Sequence, residues 1–149
     1  MGFQNLDKNT KVTRVLNATV VGITTVNGSI IDMQGYESVE FHLLGGTITD
    51  GLLSIKAQEG NDPALADAAD LAGTLTTLQN ADDNKIAVLD VVKPVKRYLR
   101  PVAVRGGATG AVIDGIVAIQ YAPRSMPVLN DATTVGLSKT VVSPAEGTA

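Results

Sequence analysis

Cysteine and tryptophan are absent from this 149-residue chain, histidine occurs once, and aromatic residues make up only 3% of it. Without cysteine there are no disulfides, thiolate metal sites or cysteine nucleophiles, so stability must come from packing or assembly, as expected in a reducing cytoplasm. Without tryptophan, and with only Phe3, Tyr36, Phe41, Tyr98 and Tyr121 as aromatics, stacking platforms for sugars are scarce. No segment approaches the roughly 18 uninterrupted apolar residues of a membrane-crossing helix. Residues 1–11 are too polar for the apolar stretch of a secretory leader. A soluble protein with no membrane partner is expected. Positive charge is also lacking. The net charge is −3 and the pI about 5.0, whereas a nucleic-acid binder needs a Lys/Arg surplus to displace counterions from phosphates.

What is present is β-branched and periodic. Hydrophobic residues make up 44% of the sequence, enough for one domain with its own core. Residues 18–26 are β-branched almost throughout and precede a turn signal, Asn27-Gly28-Ser29. Val39, Phe41 and Leu43 alternate with Glu40 and His42, and Leu53, Ile55 and Ala57 alternate with Ser54, Lys56 and Gln58. Between these two runs lies Gly46-Thr47-Ile48-Thr49-Asp50-Gly51, so a hairpin-like pair is expected. Further strands are expected over 85–92, 97–105 and 112–121, separated by Asp/Asn, Lys-Pro and Gly-rich turns. Several short strands with turn signals between them imply an all-β chain, a single jelly-roll-like β-sandwich.

The domain boundaries follow from where alternation stops. Residues 1–14 are expected to form an N-terminal arm, 15–121 the sandwich core and 122–149 an extended C-terminal arm. That last segment carries Pro123, Pro127 and Pro144 among isolated apolar anchors, of which Met126, Val128, Leu129, Leu137 and Val141 are candidate partner contacts. One stretch, Pro63 to Leu71, reads either as a two-turn helix capped by Asp62 or as a loop excursion. Apolar residues fall on both faces of some strands, with Ile116 and Ala118 against Val117 and Ile119, and Val102 and Val104 against Leu99 and Ala103. A covered second face implies self-association as a homo-dimer or trimer.

Chemistry-bearing patterns are sparse. His42 sits mid-strand on the face of Glu40 with no local partners for catalysis, which suits a surface or interface residue. No nucleophile elbow, Walker loop or metal-helix motif occurs, so no catalytic residue, metal site or cofactor is expected and the chain does not read as an enzyme. The run Gly106-Gly107-Ala108-Thr109-Gly110 joins two strands instead of opening a helix, and reads as a hairpin loop, not a phosphate cradle. Seven carboxylates between Glu59 and Asp90 raise calcium as a reading, but their spacing fits no compact ligand loop. Lys93, Lys96, Arg97, Arg100 and Arg105 follow as a basic strip, either a solvated face or a docking site for carboxylates of a neighbour.

Several of these segments also carry a resemblance. Gly35-Tyr36 with Ser38, Val39 and Phe41, then Gly46 with Ile48-Thr49-Asp50-Gly51, Gln58-Glu59, Ala69-Asp70-Leu71-Ala72-Gly73-Thr74 and Lys96-Arg97-Tyr98-Leu99-Arg100-Pro101-Val102 resemble, in order, small capsid-associated structural proteins of tailed bacteriophages. The resemblance spans about residues 30–121. It implies a virion protein, made in the host cytoplasm, that decorates and stabilises the outer surface of a phage head by binding the major capsid protein across its joints. A head-tail connector or tail accessory is the neighbouring reading, and a carbohydrate-binding module is the alternative of another class.

Overall fold

The computed structural model describes residues 5–148, and Phe3, the first four residues of the expected N-terminal arm and Ala149 lie outside them. After one helical turn, α1 (Leu6–Asn9), come β1 (Lys11–Leu16), β2 (Thr19–Gly22), β3 (Val26–Asn27), β4 (Ile31–Asp32), β5 (Tyr36–Asp50) and β6 (Leu53–Gly60). Then follow β7 (Ala69–Asp70), β8 (Thr76–Leu78), β9 (Ile86–Val92), β10 (Tyr98–Arg105) and β11 (Gly110–Pro123). Strand β1 starts inside the expected arm, because Val12 and Arg14 find partners in Ile119 and Val117.

The strands form two antiparallel sheets. One runs β1-β11-β5-β9 with β2 also on β11; the other runs β3-β10-β6-β7 with β4 also on β10 and β8 also on β6. Each extra strand continues its predecessor along the same flank. Counted as interrupted strands, these pairs leave eight, and in chain order the sheets read 1-8-3-6 and 2-7-4-5. That is the double Greek-key order of a jelly roll. Between the sheets lie Val39, Phe41 and Leu43 of β5, Ile116 and Ala118 of β11, Leu53 and Ile55 of β6, and Leu99 and Ala103 of β10, all fully buried.

Two expectations change. The β5–β6 pair is no hairpin: β5 belongs to the first sheet and β6 to the second. Its strand also runs on through the expected turn to Asp50, and the chain switches sheets at Gly51, whose φ of 91° suits glycine. The reason is the core itself, since the apolar faces of both strands must meet across it, which one sheet does not allow. Likewise residues 18–26 are not one strand but are split between β2 and β3, in different sheets.

The segment from Pro63 is a loop, not a helix. Asp62 accepts the Ala64 N–H (2.7 Å) as a cap would. Leu65, however, turns left-handed (φ 55°) to bury its side chain, and Asp67 reaches back to the N–H groups of Asn61 (2.8 Å) and Asp62 (3.1 Å). Burial of one leucine and one reversed carboxylate outweigh alanine's modest helix propensity.

Arg105 pins the crossing from β2 to β3. Its Nε donates to Thr24 O (3.0 Å), its Nη1 to Val20 O (2.8 Å) and Ala111 O (3.1 Å), and its Nη2 to Thr24 Oγ1 (3.1 Å). A guanidinium fork satisfies these groups from one buried position; an ammonium could not span them. Arg105→Lys should therefore destabilise the protein by about 2–3 kcal/mol. Chemical denaturation measures this, and a variant as stable as the parent would contradict the pinning role.

Candidate functional site

The basic strip does not form one surface. Arg105 is buried and engaged within the chain, so it is removed from the partner-contact candidates. Arg100 Nε donates to Gln58 Oε1 (2.8 Å), Gln58 Nε2 to Asp70 Oδ1 (2.7 Å), and Lys56 Nζ to Asp70 Oδ2 (2.6 Å), a chain of contacts across the outer face of the second sheet. The Lys56 ammonium, then the Gln58 amide, hold the Asp70 carboxyl below its usual range. Arg97 is also engaged. Its Nε and Nη2 bind Asp32 as a fork (2.9 and 2.8 Å), lowering the Asp32 pKa, and its guanidinium lies over the Tyr98 ring at 5.1 Å.

Lys93 and Lys96 remain, and both belong to the β9–β10 loop at one end of the sandwich. The loop is held by its backbone: Lys93 N–H donates to Ser38 Oγ (3.2 Å), Lys96 N–H to Glu59 Oε2 (3.2 Å), and Met33 N–H to Arg97 O (2.8 Å). The lysine side chains make no salt bridge among the described residues. Between them Val95 stands 92% exposed. Beside this loop lies an open groove of about 400 Å³, lined by Tyr36, Asn61, Val95, Lys96, Arg97 and Arg124 among others. Arg124 N–H donates to Gly35 O (2.9 Å), which fixes the backbone at that cation. Sequence reading missed Arg124 and Val95, since nothing local links residue 124 to residue 95; only the β4–β5 turn brings them together.

Most of these carboxylates fasten turns, while Asp90 links β9 to β11 across the outer face of the first sheet. Asp50 accepts the N–H groups of Ala108 (2.8 Å), Thr109 (2.6 Å) and Gly110 (2.8 Å), which lower its pKa and fill the glycine loop with the protein's own anion. Asp83 accepts the Ile48 N–H (2.7 Å), Asp82 the Gln79 N–H (2.9 Å), and Asp90 the Tyr121 hydroxyl (2.7 Å). Among the described residues no group of three or more His, Asp or Glu side chains is arranged to hold a metal ion. His42 contacts Glu40 on the open outer face of the first sheet.

The C-terminal segment folds back on its own chain as far as Thr140. Val128, expected as a partner contact, is buried, and its N–H donates to Lys8 O (2.9 Å). Asn130 Oδ1 accepts the Val12 N–H (2.8 Å) at the free flank of β1. Asp7 receives the Ser138 hydroxyl and the Thr140 hydroxyl (3.1 Å). Met126, Leu129, Leu137 and Val141 stay exposed. No protein-family model matches the chain, and no curated protein matches it.

Lys8 first, then Ser138 and Thr140, hold the Asp7 carboxyl down to about 2 from an ordinary 3.8. Because the folded value is depressed, this support for the docked tail is complete above pH 3.8 and is lost as pH falls through about 2. Amide exchange over residues 128–140 should therefore speed up at the acid end, and Asp7→Ala should bring that faster exchange to neutral pH. Identical exchange in parent and variant would contradict the docking.

Proposed function

We propose that the protein is a virion structural subunit that decorates and clamps the outer surface of a tailed-phage head, binding across joints of the major capsid protein. The observation that carries this reading is the β9–β10 loop, where Lys93 and Lys96 flank the exposed Val95 without ion pairs of their own among the described residues. An apolar tip between two free cations suits a neighbour that offers a small apolar seat ringed by carboxylates. The groove beside it adds Arg124 and Tyr36, a cation and an aromatic ring of the kind enriched at protein interfaces. The resemblance of residues 30–121 to capsid-associated phage proteins supports the shell as that neighbour.

Many weak contacts on a rigid lattice give high occupancy without any one strong site. Each subunit then adds buried area across a joint, and binding only to the assembled shell stabilises that shell by mass action. The exposed Met126, Leu129, Leu137 and Val141 offer further apolar contacts along the C-terminal segment.

The double variant Lys93→Glu, Lys96→Glu tests the reading better than reversal at Arg97 or Arg100, because those two arginines also hold Asp32 and Gln58. Its melting temperature should match the parent's. Binding to undecorated heads should weaken about tenfold or more at low salt, with a flatter dependence on ionic strength. Equal binding by parent and variant at both ionic strengths would reject this loop as the shell contact.

A further inference from the structure

We infer that the groove between the β4–β5 turn and the β9–β10 loop seats a carboxylate side chain carried on an acidic segment of a partner protein. The inference rests on the shell-binding reading only for the owner of that segment. Three cations, Lys96, Arg97 and Arg124, line the groove, and no acidic residue does. The acceptors around it are already engaged within the chain. Both Asp32 oxygens take the Arg97 fork, and Gln34 Oε1 takes a further bond from Arg97 Nη2 (2.5 Å). Gly35 O accepts from Arg124 N–H (2.9 Å), Arg97 O from Met33 N–H (2.8 Å) and Glu59 Oε2 from Lys96 N–H (3.2 Å). Side-chain donors are left over. Among the described residues Lys96 Nζ, Arg97 Nη1, Gln34 Nε2 and the Arg124 guanidinium make no hydrogen bond or salt bridge within the chain. Asp67 does not fill the role. Its oxygens accept the Asn61 and Asp62 N–H groups, which with a smaller contribution from the Lys96 charge lower its pKa, and it forms no salt bridge with Lys96. Unspent donors beside engaged acceptors call for a ligand that accepts, and an anion answers both the N–H groups and the charge.

The shape of the site selects the kind of anion. The groove, of about 400 Å³, is open to solvent, whereas pockets for free small molecules enclose most of their ligand. An open seat suits a group whose carrier is also held elsewhere, as a side chain on a large partner is. Apolar side chains share the lining, Met33 buried and Val95 exposed on the loop, so the methylene groups of an acidic side chain find contact as well as its oxygens. The chain as a whole carries −3, which opposes a long polyanion such as nucleic acid whose charge would extend beyond the groove. The seat is also preformed. The backbone bonds from Met33 to Arg97 and from Arg124 to Gly35 tie the turn, the loop and the start of the C-terminal segment to one another, so little order has to be gained when a ligand arrives.

Nuclear magnetic resonance titration of the full chain at low salt tests the inference with four probes: a capped peptide of two glutamates flanked by leucines, its glutamine counterpart, inorganic phosphate and a short DNA duplex. The glutamate peptide should shift the amide signals of Gly35, Lys96 and Arg124 saturably, with a dissociation constant in about the millimolar range or tighter, and the shifts should fade as salt is raised. Arg124→Glu, at an exposed side chain separate from the Lys93 and Lys96 pair, should abolish these shifts while the melting temperature stays at the parent's. A glutamate peptide that leaves the three signals unmoved would overturn the inference. So would a glutamine peptide that moves them equally, or phosphate or DNA bound there as tightly as the glutamate peptide. Failure of the shell reading looks different. A peptide seated in the groove, together with head binding unchanged by Lys93→Glu, Lys96→Glu, upholds the groove and rejects the loop as the shell contact, whereas charge-sensitive head binding without peptide shifts rejects the groove alone.

Discussion

The pairing of β5 with β11 is the contact on which the rest of the fold depends. β11 carries β1 and β2 on one flank and β5 on the other, while β5 carries β9 on its far side, so one ladder joins every strand of the first sheet. Its inward residues, Val39, Phe41 and Leu43 beside Ile116 and Ala118, form the floor on which Leu53, Ile55, Leu99 and Ala103 of the second sheet rest. Burial on this scale, at roughly 25 cal/mol for each Å² of apolar surface, is the main favourable term for a chain without disulfides. The same ladder sets the outer rows, because period-two alternation leaves Val117 and Ile119 on the side opposite Ile116 and Ala118.

Polar side chains fasten this framework at its corners. Asp50 ties the β10–β11 loop, Asp83 ties Ile48, Asp67 closes the β6–β7 loop, and Arg105 gathers the carbonyls between β2 and β3. Side-chain oxygens that satisfy loop N–H groups let the chain turn sharply without leaving backbone donors unpaired. Acids so engaged hold loop geometry, which is why seven carboxylates in one region do not converge. Among the described residues the cations without a side-chain bond are Lys11, Arg14, Lys93, Lys96, Arg124 and Lys139, and three of them, Lys93, Lys96 and Arg124, lie at the β9–β10 loop end.

The class of fold was legible because alternation over 39–43, 53–57, 85–92 and 112–121 marks half-buried strands whatever their partners. Pairing was not legible. A Gly/Asp turn between two alternating strands looks the same in sequence whether the chain makes a hairpin or crosses to the opposite sheet, and only the meeting of both apolar faces across the core decides it. Arg105 was unreadable for a related reason: apart from Ala111, its partners lie more than eighty residues away, at Thr24 and Val20. Within the basic strip, sequence could count charges but not their neighbours. Asp32 is distant in the chain and Gln58 carries no charge, yet they engage Arg97 and Arg100, while Lys93 and Lys96 are left without a counter-ion by the loop's own geometry. The tail was misjudged in part, since Val128 and the hydroxyls of Ser138 and Thr140 dock on α1, whose short helical turn has no hydrophobic signature.

Taken together, a rigid jelly roll and a cationic end with an apolar tip form a unit suited to repeated contact on a lattice. Quantitative mass spectrometry of purified virions, calibrated against the major capsid protein, tests that account most directly. A shell-decorating subunit should be present in hundreds of copies per particle, as many as there are equivalent joints. A dozen copies or fewer, or none, would contradict it.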